Sequence, residues 1–218
     1  MTERVLEPGS TLGVLGGGQL GAMFTEAAHR MGYQVAVWDP DVDAPAHRLA
    51  THSCTAPFSD LGARDRFASL VDAVTLEWEN VPAELCEWLE MRCPMRPTGA
   101  VLKILQDRIE QKQYLLSRHL SVPAFAIVES VSQLVSAVDR LGLPAVCKTA
   151  MSGYDGKGQW LLRTPSDVQE LEHILGTVKS GQRWILEQFI AYVRELSVLV
   201  VRSGCGVSCV YPVVENRH

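Results

Sequence analysis

Thr11-Leu12-Gly13-Val14-Leu15-Gly16-Gly17-Gly18-Gln19-Leu20-Gly21 joins a short apolar run to three consecutive glycines. Leu20, Met23, Phe24, Ala27, Ala28 and Met31 follow at i, i+3, i+4, i+7, i+8 and i+11. That spacing predicts a strand over Thr11 to Leu15, a glycine turn, and an amphipathic helix with those six residues on its core face. Gly32 is placed to end the helix. Gln34 to Trp38 reads as the next strand and Val71 to Trp78 as another. Pro82 then opens a helix toward Arg92, at the favoured first-turn position. Strand, helix and strand at these spacings predict an α/β fold with a parallel sheet and helices on its faces.

The turn satisfies G-x-G-x-x-G through Gly16, Gly18 and Gly21, between strand and helix as that motif requires. Asp39 lies 21 residues after Gly18, where an acid that binds a ribose would stand. Three readings remain open on these residues. The turn could hold a dinucleotide, pack a helix tightly on a strand, or offer its amides to a phosphate of another ligand. Glu77 and Glu79 bracket Trp78 at a strand end and should share one side.

Cys93-Pro94-Met95-Arg96-Pro97 is a breaker segment and the predicted domain seam. Thr98 can cap a helix reaching about Leu120, with Val101, Leu105 and Ile109 on one side. Beyond Val122-Pro123 the pattern changes. Strands are predicted at Phe125–Glu129, Ala145–Thr149, Gln159–Arg163, Arg183–Gln188, Glu195–Arg202 and Val207–Val214. Helices are predicted from about Ser132 to Leu141, closed by Gly142, and from a Ser166 cap to about Leu175. Hairpin-linked strands with helices on one side imply α+β here.

Ser152-Gly153-Tyr154-Asp155-Gly156-Lys157-Gly158 is longer than a tight hairpin turn and carries a lysine among three glycines. Its glycines let backbone amides approach a phosphate, and Lys157 can reach the phosphate oxygens. It is not a Walker loop. Lys148 ends an apolar strand just before this loop, either snorkelling or facing a phosphate. Arg108 and Lys112 form a like-charge i, i+4 pair, either on a solvated face or beside an external anion, whereas Lys103 has Asp107 at i+4. Glu187 and Glu195 flank a turn and read as surface carboxylates in isolation. His29, His47, His52, His119 and His173 have no nucleophile or metal-ligand pattern nearby.

The 218 residues carry 20 Lys and Arg against 25 Asp and Glu, a net charge of −5. That argues against an electrostatic nucleic-acid binder while leaving room for a locally positive pocket. The 47% apolar and 21% charged fractions suit a globular core. No apolar run exceeds about six residues against the ~20 that span a bilayer. Met1 to Ser10 carries acids and no apolar stretch, unlike a signal peptide. Cys54, Cys86, Cys93, Cys147, Cys205 and Cys209 show no Cys-x-x-Cys pair. They read as reduced core residues of a cytoplasmic protein.

Taken in order, several segments resemble the N5-carboxyaminoimidazole ribonucleotide synthetases of purine biosynthesis, ATP-dependent ligases of the ATP-grasp superfamily. They are Gly16 to Gly21; Thr75-Leu76-Glu77-Trp78-Glu79-Asn80-Val81-Pro82; Asp107-Arg108 with Gln111-Lys112; Gly153-Tyr154-Asp155-Gly156-Lys157-Gly158-Gln159; Glu187-Gln188-Phe189-Ile190; Glu195; and Glu215-Asn216-Arg217-His218. The resemblance implies that ATP, bicarbonate and 5-aminoimidazole ribonucleotide give the carboxyamino product, ADP and phosphate, by way of carboxyphosphate. It implies a Rossmann-like pre-ATP-grasp domain over residues 1–97 and an incomplete ATP-grasp domain over 98–218. The latter divides into a linking helix (98–121), a small lobe (122–190) and the first strands of the large lobe (191–218).

By carry-over from the family, Arg108 and Lys148 contact ATP phosphates and the loop from Gly153 to Gln159 is the lid. Glu187, Gln188, Phe189 and Ile190 line the adenine, largely through backbone groups. Glu195 accepts the ribose hydroxyls, and His218 lies near the nucleotide. Gln19, Glu77, Tyr154 and Asp155 face the ribonucleotide. Lys148, Tyr154 and Asp155 are the expected catalytic residues. The first glycine turn then belongs to the substrate side and has lost dinucleotide binding. The family's Mg²⁺ ligands are expected beyond His218, so the resemblance implies a truncated chain without catalysis on its own and a homodimer for the complete enzyme. No nucleic-acid or membrane partner is expected. A formate-dependent glycinamide ribonucleotide transformylase shares the layout and an Asp-Ala-Pro-Ala run like Asp43 to Ala46. A non-catalytic nucleotide-binding fragment is the alternative of a different class.

Overall fold

The computed structural model of the chain describes residues 5–151, 158–177 and 181–217. It opens with β1 (Thr11–Leu15), α1 (Gln19–Arg30) and β2 (Gln34–Trp38). A 3-10 turn (Pro45–Arg48) leads to β3 (His52–Cys54), α2 (Leu61–Leu70), β4 (Ala73–Leu76) and α3 (Ala83–Glu90). The four strands form one parallel sheet in the order β3-β2-β1-β4. Strand alternation divides its core. Leu15, Ala36 and Trp38 face Phe67 of α2 and Leu85 and Leu89 of α3. Val14, Val35 and Val37 face Ala28 of α1.

The helix-face reading of α1 holds for Phe24 and Ala28, which pack on the core, and is overturned for Leu20, Met23 and Met31. Its buried residues are Gly21, Thr25 and Ala28, while Leu20, Met23 and Met31 are 63%, 58% and 66% exposed. The reason is close approach: a Cβ at Gly21 would lie 2.9 Å from the Gly16 carbonyl oxygen. Only small side chains fit under a helix seated that tightly. The strand expected over Val71–Trp78 is shorter, and β3 and α2 carry no clear period in sequence. β3 has three residues, and α2 is set by its Asp60 cap, which accepts from the Ala63 amide at 2.8 Å.

One helix expected from Thr98 to Leu120 is two, α4 (Gly99–Gln106) and α5 (Arg108–Ser117). Asp107 leaves helical geometry at φ −113°, ψ 114°. Its carboxylate accepts from the amides of Ile109 at 2.8 Å and Glu110 at 3.3 Å, so it caps α5 rather than pairing with Lys103. Leu102 joins the first core, Ile109 sits in a second, and Val101 and Leu105 are exposed. Thr98 does cap α4, accepting from the Val101 amide at 3.3 Å.

The second sheet holds β5 (Phe125–Val128), β6 (Ala145–Thr149), β7 (Gln159–Leu162) and β8 (Trp184–Gln188), antiparallel in the order β5-β8-β6-β7. α6 (Val131–Leu141) and α7 (Pro165–Thr177) cover one face over Val128, Cys147 and Leu186. Ser130 caps α6, accepting from the Gln133 amide at 3.3 Å. Asp167, not Ser166, secures the start of α7 by accepting from the amides of Arg163 at 2.7 Å and Thr164 at 2.8 Å. α5 lies on the other face, against Ile185.

The last expected strands are each broken in two, giving β9 (Glu195–Ser197), β10 (Val200–Arg202), β11 (Ser208–Val210) and β12 (Val214–Asn216). They pair as two ribbons, β10 with β11 and β9 with β12. Pro212 falls between β11 and β12 and has no N–H to give a ladder. The cysteine expectation is corrected in part: Cys86, Cys93 and Cys147 are buried free thiols, but Cys205 and Cys209 are exposed on these ribbons.

Candidate functional site

Glu187 and Lys148 meet because of strand register. Val146 stands opposite Glu187 and Lys148 opposite Ile185 across β6 and β8. Period two puts all four on the face that α5 covers. Glu187 is only 7% exposed, which corrects its reading as a surface carboxylate. Its Oε2 accepts from Lys148 Nζ at 2.9 Å, and its Oε1 takes Lys112 Nζ at 3.1 Å. Of the two readings open for Arg108 and Lys112, the solvated face does not hold for Lys112, whose side chain is 13% exposed. The cluster holds two cations against one anion in a poorly hydrated place, and so keeps a surplus positive charge.

The Arg108 backbone N–H donates to the Ala150 carbonyl at 2.8 Å, which ties the start of α5 to the chain just past β6. Arg108 lines a cavity of about 150 Å³ with Glu79, Asn80, Gln106, Gln111 and Ala150. Asp107 is buried and ion-paired with Arg183, a contact that ties α5 to the strand end before β8. Sequence reasoning missed Lys112, Asp107 and Arg183 as partners. The only signal was Lys112 itself, a lysine without a helical counter-charge. On β6, the Cys147 thiol points into the opposite core, where burial, helped by the Glu187 charge, pushes it up to about 12.

Gly158 and Gln159 close the described edge of the site. The Gly158 carbonyl accepts from the Thr149 amide at 2.9 Å, and Gln159 stands opposite Lys148. Gly153, Tyr154, Asp155, Gly156, Lys157 and His218 lie outside the described residues. Gln188, Phe189 and Ile190 are exposed, and the amides of the first two donate to the carbonyls of Ala124 and Pro144. Glu195 is exposed on β9, where its Oε1 accepts from Asn216 Nδ2 at 2.8 Å.

The first glycine turn behaves differently from a dinucleotide loop. Gly17 N–H donates to Asp39 Oδ2 at 2.6 Å, and Gly18 N–H donates to Glu77 Oε2 at 3.3 Å. Asp39, the expected ribose acid, holds the turn instead, and carboxylates occupy the amides a phosphate would need. Glu77 follows the end of β4 and serves the turn, whereas Glu79 is exposed, so strand pleating does not bring the two together. An open cleft of about 420 Å³ lies over these carboxyl strand ends, lined by Gly18, Asp39, Pro40, Asp41, Glu77 and Trp78. Gln19 is exposed at the first position of α1. Among the described residues no group of three or more His, Cys, Asp or Glu could hold a metal ion, and both Glu187 carboxylate oxygens are held by lysines.

Comparison with known proteins agrees with this division. A family model of the ribonucleotide synthetase pre-ATP-grasp domain matches residues 10–106, and one of the ATP-grasp domain matches residues 113–218. Together they define a protein of the ATP-grasp class, preceded by a ribonucleotide synthetase module. N5-carboxyaminoimidazole ribonucleotide synthases from Bacillus subtilis and Pseudomonas aeruginosa are 37% and 41% identical, over 100% and 95% of this chain and 56% of each relative. An ADP complex of an N5-carboxyaminoimidazole ribonucleotide synthetase superposes with a TM-score of 0.93 at 38% identity, covering all of this chain and 56% of that one. The Staphylococcus aureus enzyme complexed with ADP gives 0.92 at 32% identity, over 98% and 56%. The chain belongs to the N5-carboxyaminoimidazole ribonucleotide synthetase family. It spans little more than half the length of these relatives.

Proposed function

We propose that the chain takes part in the ATP-dependent carboxylation of 5-aminoimidazole ribonucleotide by bicarbonate. A bicarbonate oxygen attacks the γ-phosphorus of ATP, the bond to the bridging β–γ oxygen breaks, and ADP leaves with carboxyphosphate formed. The substrate amine then attacks the carboxyl carbon, phosphate departs, and the nitrogen loses a proton to give the N5-carboxyamino product. The carrying observation is the surplus positive charge of Lys148 and Lys112 around Glu187. Cations fixed in a partly dehydrated place are what a transferring phosphoryl group needs.

In this reading Lys148 and Arg108 meet the phosphates. The segment from Gly153 to Gln159 covers them and keeps water from the labile intermediate. Glu187, Gln188, Phe189 and Ile190 border the adenine, Glu195 the ribose, and His218 lies close by. Tyr154, Asp155, Gln19 and Glu77 face the ribonucleotide at the cleft over the first sheet. Relatives described as complexes with ADP, and one with ADP and 5-aminoimidazole ribonucleotide, support ATP and the ribonucleotide as substrates. The family's Mg²⁺ would neutralise phosphate charge. The reading further places the protein in the cytoplasm as a homodimer. Its three buried free thiols support a reducing compartment. Among the described residues no helix is long and apolar enough to cross a membrane.

Calorimetric titration of the 218-residue chain with ATP and, separately, with NADH tests the reading. ATP binds and NADH does not; Lys148→Ala weakens ATP by about tenfold or more, the scale of one charged contact. NADH binding without ATP binding overturns it.

A further inference from the structure

Lys112 comes from α5, whose start is fixed by the Asp107 cap and by the Arg108 amide on the Ala150 carbonyl. It reaches Glu187 over the Phe125 ring, with Nζ 6.0 Å from the ring centroid. Lys148, at 25% exposure, is the more open of the two lysines on this carboxylate. If Lys148 and Glu187 stood alone they would form a neutral, mostly buried pair. A phosphate could then recruit Lys148 only by stranding Glu187 as a buried, uncompensated charge, which is strongly unfavourable. The neighbouring Asp107 cannot change this count, because Arg183 already balances it.

We propose that Lys112 is a positioning residue: it keeps the Glu187 carboxylate compensated so that Lys148 can turn its ammonium to an anionic phosphate. This rests on the nucleotide reading above and adds a residue that the motif comparison left without a role. Lys112 itself touches no phosphate. It acts through Glu187, and its effect depends on the Glu187 charge.

The test is a double-mutant cycle read by calorimetry with ATP and with adenosine, on the full 218-residue chain. Lys112→Met should weaken ATP by about tenfold or more while adenosine stays within about twofold. In an E187Q background there is no carboxylate to compensate, so adding K112M should change ATP affinity by less than about twofold. The comparison of E187Q with K112M/E187Q stands even if K112M alone fails to fold. Lys112→Arg should retain most of the ATP affinity. The inference is overturned if K112M binds ATP like the parent, or if K112M still costs about tenfold beside E187Q. Absence of ATP binding to the parent chain would instead sink the nucleotide reading itself.

Discussion

At Gly16 the backbone sits at φ +99°, and a Cβ there would lie 2.8 Å from the Trp78 amide nitrogen. Gly16→Ala should therefore cost about 1–3 kcal/mol in urea unfolding. Gly176, within α7 with nothing within 4 Å of a Cβ, gives the opposite sign: Gly176→Ala should stabilise by about 0.4–1 kcal/mol. The buried thiols make a pH prediction. Burial raises Cys86 and Cys147 from 9.0 to about 12. The folded state holds these protons more tightly than the unfolded chain. Their contribution is thus fully present below 9.0 and is lost as pH rises toward about 12. Unfolding free energy should fall over that window, and Cys147→Ala should make the fall shallower. Within the cluster, Lys148 stood out in sequence as a lysine ending an apolar strand before a glycine-rich stretch, with snorkelling and phosphate contact both open. Lys112 did not, since its partner lies on a strand far along the sequence and helical spacing says nothing about it.

Elements with one dominant local cause were readable. The strand, glycine turn and helix from Thr11 to Arg30 follow from apolar runs and turn chemistry, and so does the Ala145–Thr149 strand before its loop. Which side of α1 faces inward was only partly readable, because hydrophobicity favoured Leu20 and Met23 while closeness to the sheet favoured Gly21 and Thr25. The break at Asp107 was hidden for a similar reason. Asp inside a continuous apolar period looks like one more helical residue until its capping bonds and its Arg183 partner are seen. Asp107→Ala removes the cap and strands Arg183 at once, and should cost about 2–4 kcal/mol by chemical denaturation. The same loss in Lys103→Ala would show that the i, i+4 reading was the correct one.

For the whole molecule, Leu102 of α4 packs in the first core, while Ile109 of α5 packs in another with Ala150 and Ile185. The ribbons beyond Gln188 leave Leu199 70% and Val207 70% exposed, among other apolar side chains. Contiguous exposed apolar surface promotes association. The 218-residue chain should self-associate with rising concentration in light scattering, and Leu199→Lys with Val207→Lys should reduce this. The net charge of −5 does not show how charge is placed: locally, Lys112 and Lys148 set two ammonium groups on the one Glu187 carboxylate. A crystal structure of the chain with a non-hydrolysable ATP analogue tests whether this local positive surplus receives the phosphates. Phosphate oxygens should lie on Lys148 Nζ, with Lys112 still on Glu187 and the Gly17 and Gly18 amides still bound to Asp39 and Glu77. Phosphates seated on the Gly17 and Gly18 amides would contradict this.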